Sequence, residues 1–157
     1  WAVQPYGETG TRTSTYHKRQ DVTFRTALTG LDSVRCIRDY FEQGAIDLGE
    51  FELDHALAED ADGREAAGAP RLMRRGRDEF LIYHPHAAAD EQAAQPNSSG
   101  TVRLRVDLRA AAGTFAVEWY RAEDGRAQAG ADVPAGDWRA LTAPWVGADV
   151  VLRLRKR

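Results

Sequence analysis

Apolar and polar residues alternate through the C-terminal half of the chain. In the stretch TVRLRVDL at 101–108 every second residue is aliphatic, and in GTFAVEWYRAEDG at 113–125 Phe115, Val117 and Trp119 fall on one side of an extended chain. A period of two residues is typical of β-strands with one buried face and one solvated face, the habit of antiparallel sheets. The Glu-Asp-Gly sequence that closes the second stretch predicts the turn of a hairpin.

Further strands are predicted on both sides of this pair. PRLMRRG and EFLIYHP, joined at Gly76–Asp78, predict a second hairpin whose second arm is apolar on both faces and so lies at the centre of a sheet. DWRALTAP and DVVLRLRKR complete the sheet, whereas 58–69, 87–100 and 127–136 are predicted loops because turn-forming and small polar residues dominate them. Five or six short strands with glycine-rich turns indicate an antiparallel β-sandwich.

The N-terminal side of the chain has a helical pattern instead. LDSVRCIRDYFEQG at 31–44 offers Asp32 or Ser33 as an N-cap, an apolar stripe at helical spacing and Gly44 as the stop. A weaker helix is predicted over 17–29, where β-branched residues interrupt the pattern. These features predict a short helical segment ahead of the sandwich.

The predicted fold class is mainly β, with an antiparallel β-sandwich on the C-terminal side and a short N-terminal helical segment. Residues 45–58 fit neither period, and we interpret them as an irregular connection that leaves room for a short strand. The predicted division is therefore a helical and irregular segment over residues 1–58 and the sandwich over residues 59–157.

Composition and charge exclude several classes of function. Hydrophobic residues make up 43% of the chain and charged residues 29%, which is typical of a globular protein rather than a disordered or membrane-embedded one. The net charge of −3 is spread over interspersed acidic and basic residues, so we expect neither a nucleic-acid partner nor a membrane partner. Cys36 is the only cysteine, which excludes an intramolecular disulfide.

The sequence contains only incomplete sets of candidate metal ligands. His84 and His86 could be two metal ligands, but no cysteine or acid follows at a diagnostic spacing, and we interpret them as residues of a strand end. Glu59, Asp60 and Asp62 have a calcium-like spacing without the downstream glutamate of a complete calcium loop. We therefore predict no metal site and no cofactor.

Aromatic side chains are the remaining candidates for ligand binding. Tyr120 points away from the Trp119 face of its strand, and Trp138 and Trp145 flank the last turn. An exposed aromatic ring can stack on the apolar face of a sugar. Packing in the core or against the helical segment is the alternative for each of these rings.

The sequence resembles a known β-domain over residues 79–157. The succession EFLIYHP, GTVRLRVDL, GTFAVEWYRAEDGRA and DWRALTAPWVGADVVLRLRK is similar to the C-terminal domain labelled a collagen-binding domain of a collagenase, which commonly follows a TIM-barrel glycoside hydrolase-like domain of the apiosidase-like type. The family's Asp-Pro-Arg-Thr turn after the aromatic pair is replaced here by Arg121–Asp124.

The resemblance extends more loosely upstream. RDYFEQGAIDLGEFELDHALA is similar to the last barrel helix with its connecting segment, and WAVQPYGETG is similar to the penultimate barrel strand, which usually carries the catalytic nucleophile. Pro5 stands where that glutamate would align, and Glu8 is the nearby candidate. A retaining glycosidase needs two carboxyl groups about 5 Å apart from different strands, and the strand of the acid/base would lie before residue 1.

The resemblance implies a function in carbohydrate processing. It implies a non-catalytic accessory module that supports a catalytic barrel domain or contacts polysaccharide, in an extracellular or periplasmic protein. The alternative is a stand-alone structural, adhesion or assembly module that binds protein, with residues 1–58 as the surface for assembly. Either reading makes this chain by itself non-catalytic.

Overall fold

A computed structural model describes residues 29–61, 70–85 and 101–157, with side chains described from residue 34 onwards. Within these ranges helix α1 comes first, and ten strands follow. Their bounds are α1 Thr29–Gln43, β1 Glu52–Leu53, β2 Ala58–Asp60, β3 Arg71–Arg75, β4 Glu79–His84, β5 Thr101–Asp107, β6 Thr114–Arg121, β7 Arg126–Ala129, β8 Val133–Pro134, β9 Trp138–Val146 and β10 Val150–Lys156. Two single turns of 3₁₀-helix, Leu48–Glu50 and His55–Leu57, separate α1 from β2.

The strands form two antiparallel sheets. The larger sheet has the order β1-β3-β4-β10-β6-β7, with β8 paired to β6, and the smaller sheet has the order β2-β5-β9. Strand β10, the last in the chain, lies between β4 and β6 and pairs with both. The chain therefore crosses between the layers several times, and the predicted antiparallel, mainly β architecture with a helix before it is confirmed.

A single apolar core lies between the two sheets. Alternate residues of β5, β6 and β10 enter it, and most of them have no exposed surface. These residues are Val102, Leu104, Val106, Phe115, Val117, Trp119, Val150, Leu152 and Leu154. Burial of each large aliphatic side chain stabilises the fold by roughly 1.5–3 kcal/mol, so the alternating pattern accounts for most of the driving force. Trp119 belongs to this core.

A second apolar cluster lies on the outer face of the larger sheet. Ile46, Phe51 and Leu81 are its buried members, and Tyr40 and Phe41 of α1 pack against them. The sheet is therefore covered on both faces at β4, as the apolar sequence of that strand predicted. The part of α1 that carries Val34 and Ile37 stays exposed.

Three boundaries differ from the predictions. Helix α1 begins at Thr29, so Asp32 and Ser33 lie within it and are not its N-cap. Residues 58–60, predicted as loop, form β2, which pairs with β5. The predicted loop 127–136 contains most of β7 and all of β8, because short strands of alanine and glutamine show no alternation.

Several predictions concern residues that the structure does not describe. They are residues 17–28 of the helix predicted over 17–29, residues 62–69 of the loop predicted over 58–69, and the loop at 87–100. The division of the chain at residue 58 stays a prediction, although β1 and β2 both pair with strands of the sandwich. Within the described ranges, no helix combines the length and the apolar character needed to cross a lipid bilayer.

Candidate functional site

Helix α1 is held against the larger sheet by a set of polar and aromatic contacts that we call the helix-docking site. It consists of Tyr40, Glu79, Glu118, Tyr120 and Arg153. The rings of Tyr40 and Tyr120 stack with their centroids 4.2 Å apart. The Tyr120 hydroxyl donates a hydrogen bond to the Cys36 carbonyl oxygen at 2.6 Å, and the Tyr40 hydroxyl donates one to Glu118 Oε1 at 3.1 Å. Both tyrosines thus bind helix and strand together.

A buried ion pair lies beneath the C-terminus of the helix. Arg153 on β10 donates from Nε to Glu79 Oε1 on β4 at 2.6 Å, and these two residues are 8% and 2% exposed. Arg153 Nη1 also donates to the carbonyl oxygen of Gly44 at 3.4 Å, just past the helix end. The second oxygen of Glu79 accepts from Arg75. The pair therefore connects two neighbouring strands to the last turn of α1.

The turn after β6 approaches the helix closely. Gly125 has φ +74°, and a Cβ at this position would lie 3.1 Å from the Cys36 sulfur. A side chain here would be strained by its backbone conformation and would also press on the helix. Beside this contact lies a shallow cleft of about 450 Å³, whose lining includes Cys36, Asp39, Gln43, Asp124 and Arg153.

Tyr120, which was predicted to bind a ligand, lies in the contact between helix α1 and the larger sheet. The residue is 4% exposed and its ring is covered by Tyr40. The alternative left open by the sequence, packing against the helical segment, describes its position. Tyr120 also lines the cleft of about 450 Å³ beside the turn after β6, so its role in ligand binding stays a prediction.

Trp138 lies half-buried at the start of β9, on the outer face of the smaller sheet. The guanidinium carbons of Arg105 and Arg109 lie 5.2 Å and 5.8 Å from its ring centroid. Each arginine is also paired with an acid: Arg105 with Glu59 at 2.6 Å, and Arg109 with Asp107 at 2.7 Å. The indole is thus part of a charged surface and keeps some exposure.

Trp145 sits near the other end of β9, in a different environment. It packs against the edge of the core between the sheets, and the guanidinium carbon of Arg121 lies 5.5 Å from its ring centroid. The three predicted aromatic residues therefore do not converge on one site. Their roles in ligand binding stay predictions for Trp138 and Trp145.

A buried histidine and aspartate connect the two sheets. His84 Nε2 on β4 lies 2.7 Å from Asp60 Oδ2 on β2, and neither side chain is more than 1% exposed. His84 Nδ1 lies 3.1 Å from the carbonyl oxygen of Pro85, which can only accept. Nδ1 therefore carries a proton, and a second proton lies in the short contact with Asp60. This buried position fits the prediction that His84 belongs to a strand end.

Some of the remaining predicted site residues lie outside the residues that the structure describes. Glu8, Asp62 and His86 are not described, so the candidate nucleophile and parts of the two metal hypotheses cannot be placed. Among the described residues, no group of three or more histidines, cysteines, aspartates or glutamates is arranged to hold a metal ion.

Sequence reasoning missed the Glu79–Arg153 pair. Both residues alternate with inward-pointing neighbours, and alternation normally assigns such positions to solvent. The signal that could have identified them is the helix predicted just upstream, which must cover one face of the sheet. Which face it covers depends on the tertiary fold.

Alkaline pH should weaken the attachment of α1. Burial raises the pKa of Tyr120 from 10.0 to about 12, and burial together with the Glu118 carboxylate raises the pKa of Tyr40. Unfolded tyrosines ionise first, so the stability that Tyr120 contributes is complete below pH 10 and is lost as pH rises from there to 12. We expect Tyr120→Phe to lower the free energy of unfolding by about 1 kcal/mol at pH 7, through the lost hydrogen bond, and to flatten this alkaline decline. Urea unfolding at pH 7, 10 and 11 measures both effects, and equal pH slopes for variant and parent would contradict the expectation.

Two solved structures are similar to this fold. A protein described as "Glycoside hydrolase" superposes on 82% of this chain and 25% of its own, with a TM-score of 0.60 and 14% identity. A glycoside hydrolase family 5 protein from Bacteroides vulgatus ATCC 8482 superposes on 82% of this chain and 24% of its own, with a TM-score of 0.59 and 17% identity. The chain thus spans about a quarter of the length of each.

At these identities the likeness concerns the fold alone. No family model and no curated protein matches the chain. A fold related to that of glycoside hydrolases is supported, and the resemblance to a collagen-binding domain is not.

Proposed function

We propose that this chain is the non-catalytic accessory β-sandwich module of a glycoside hydrolase-like protein and that it supports the catalytic domain through helix α1. The observation that carries this proposal is the helix-docking site. A buried ion pair lies beneath the end of the helix, and a tyrosine of the sheet stacks on a tyrosine of the helix. These contacts hold the helix in a fixed orientation on the sheet. Such a platform suits a helix that must present its opposite face to another domain.

The outward face of α1 has the character of a domain contact. Val34 and Ile37 are 54% and 39% exposed, one helical turn apart. Neighbouring apolar side chains on an exposed helix are commonly buried by a further layer of protein. In the proposed arrangement that layer is a catalytic barrel, and α1 corresponds to its last helix.

The short span relative to the neighbours favours an accessory role. Each similar structure is a little over three times as long as this chain, and each is described as a glycoside hydrolase. Three acidic residues of the described sandwich are engaged structurally: Glu79 with Arg153, Asp60 with His84, and Glu118 with Tyr40. None of these pairs has the open, two-carboxylate geometry that glycoside hydrolysis requires.

The test compares this chain with the product of its complete reading frame. We expect the chain to release no sugar from a panel of chromogenic glycosides, and the longer product to hydrolyse at least one of them. Ile37→Lys should leave the unfolding temperature of the chain unchanged, since the residue is already exposed, and should lower that of the longer product. Glycoside hydrolysis by the chain itself, abolished by Glu8→Gln, would overturn the proposal.

A stand-alone assembly module is the second candidate, and the same exposed helical face favours it. In that case Val34 and Ile37 would contact a protein partner, including a second copy of the chain. Light scattering separates the two candidates. A monomer at 100 µM, as order of magnitude, supports the accessory role, whereas a dimer that Ile37→Lys dissociates supports assembly.

A further inference from the structure

A cleft of about 530 Å³ opens at one end of the sandwich, between the β3–β4 turn and the loop that follows β5. This volume lies within the range of small-molecule sites in proteins. Its floor is apolar and is formed by Leu57, Phe80, Ala110 and Ala111. Its rim carries the charged residues Asp54, Arg74, Arg77, Asp107 and Arg109.

Two of the three arginines that line the cleft are paired with acids. Arg74 Nε lies 2.9 Å from Asp54 Oδ2 and Arg74 Nη2 lies 3.4 Å from Glu52 Oε2, while Arg109 Nη2 lies 2.7 Å from Asp107 Oδ2. Arg77 makes no ion pair with any residue that the structure describes. Arg77 is exposed and lines the cleft together with the apolar residues, so its positive charge is available to an anion.

Both walls of the cleft are fixed by hydrogen bonds. In the β3–β4 turn, Gly76 adopts φ +58°, and the backbone N–H of Lys156 donates to the Asp78 carbonyl oxygen at 2.9 Å. In the opposite loop, the backbone N–H of Arg109 donates to Asp107 Oδ1 at 3.0 Å. A site with rigid walls loses little conformational entropy when a ligand binds.

Trp138 extends the site along the smaller sheet. Arg109 lines the cleft and also lies 5.8 Å from the Trp138 ring centroid, so the two features are continuous. A half-exposed indole next to a cationic cleft offers a stacking surface for a second sugar ring. Arg105 flanks the same ring at 5.2 Å.

We propose that this cleft binds an anionic oligosaccharide, with a carboxylate or sulfate of one sugar on Arg77, its apolar ring face on the floor, and the next ring at Trp138. Guanidinium groups recognise both anions through paired N–H donors. The choice of a sugar as the carrier of the anion rests on the proposed function. The choice of an anion rests on Arg77 and the rim charges alone.

The experiment titrates the chain with three hexasaccharides at 50 mM salt or thereabouts, following ¹H–¹⁵N shifts and heats of binding. The probes are oligogalacturonate for the carboxylate, a heparin hexasaccharide for the sulfate, and maltohexaose as the neutral arm. We expect binding to one or both anionic probes and none to maltohexaose. Shifts should occur at the indole N–H of Trp138 and at the amides of 76–78 and 107–111.

Arg77→Gln should weaken binding of the anionic probe about tenfold, the scale of one charge-assisted contact. Arg155→Gln is the matched control, because Arg155 is exposed, forms no ion pair within the described part of the chain and does not line the cleft. We expect it to leave affinity unchanged. Equal losses for both variants, equal binding of maltohexaose, or no binding of either anionic probe would overturn the proposal. Those outcomes leave the hydrolysis test of the accessory role untouched, so the two proposals can fail separately.

Discussion

Replacing Arg153 by methionine should lower the free energy of unfolding by about 3 kcal/mol. The substitution leaves the buried Glu79 carboxylate with only Arg75 as a partner, and removal of one member of a buried ion pair typically costs 3–5 kcal/mol, as order of magnitude. The lower figure applies here because Arg75 compensates part of the charge. Urea unfolding followed by tryptophan fluorescence measures the change.

The double variant Arg153→Met/Glu79→Met distinguishes a charge effect from a packing effect. With both charges removed, no unpaired ion stays buried, and we expect much of the lost stability to return. Arg38→Met is the surface control: Arg38 pairs with Asp39 in an exposed position, and its loss should change stability by less than about 0.5 kcal/mol. If the double variant is less stable than Arg153→Met, the unpaired Glu79 charge is not the cause of the loss, and the expectation is contradicted.

Replacing His84 by glutamine should also lower the free energy of unfolding by about 3 kcal/mol. Glutamine cannot place hydrogen-bonding atoms toward both Asp60 and the Pro85 carbonyl from the same position, so the fully buried Asp60 carboxyl group loses its contact with residue 84. Because this contact joins β4 to β2, the loss should also loosen the smaller sheet. Hydrogen exchange of the β2 and β5 amides reports that loosening.

His55→Gln is the matched control for that change. His55 is exposed, and its Nδ1 accepts a single hydrogen bond from the Leu72 N–H at 3.1 Å, so we expect a loss below about 1 kcal/mol. Nitrogen chemical shifts provide a second check, since the geometry requires a proton on His84 Nδ1. A deprotonated Nδ1 at pH 7, or equal losses for the two variants, would contradict the arrangement.

Patterns with a period of two residues identified the sheets because burial on one face leaves a direct trace in sequence. Strands β5, β6 and β10 appear within one or two residues of their predicted bounds. Strand β7 escaped because all four of its residues, Arg126–Ala129, are exposed at a sheet edge. An edge strand held by backbone hydrogen bonds needs no particular side chains.

Polar contacts across the fold could not be predicted in the same way. In the sequence, Arg153 and Asp60 look like the exposed charged residues around them. They differ only in their partners in the folded protein, Glu79 and His84. Tyr120 was correctly placed on the face opposite Trp119, but the sequence left open whether solvent or α1 covers that face. In the structure, α1 covers that face.

The central position of β10 bears on how this protein is made in the cell. Strands β4 and β6 both need β10 as their neighbour, yet residues 150–156 are synthesised after all the others of the larger sheet. During translation β4 and β6 therefore emerge with unpaired edges and apolar faces, and the sheet closes only after 150–156 have left the ribosome. Folding by such late, long-range pairing is slow and exposes aggregation-prone edges, so the nascent chain should depend on chaperones until that moment.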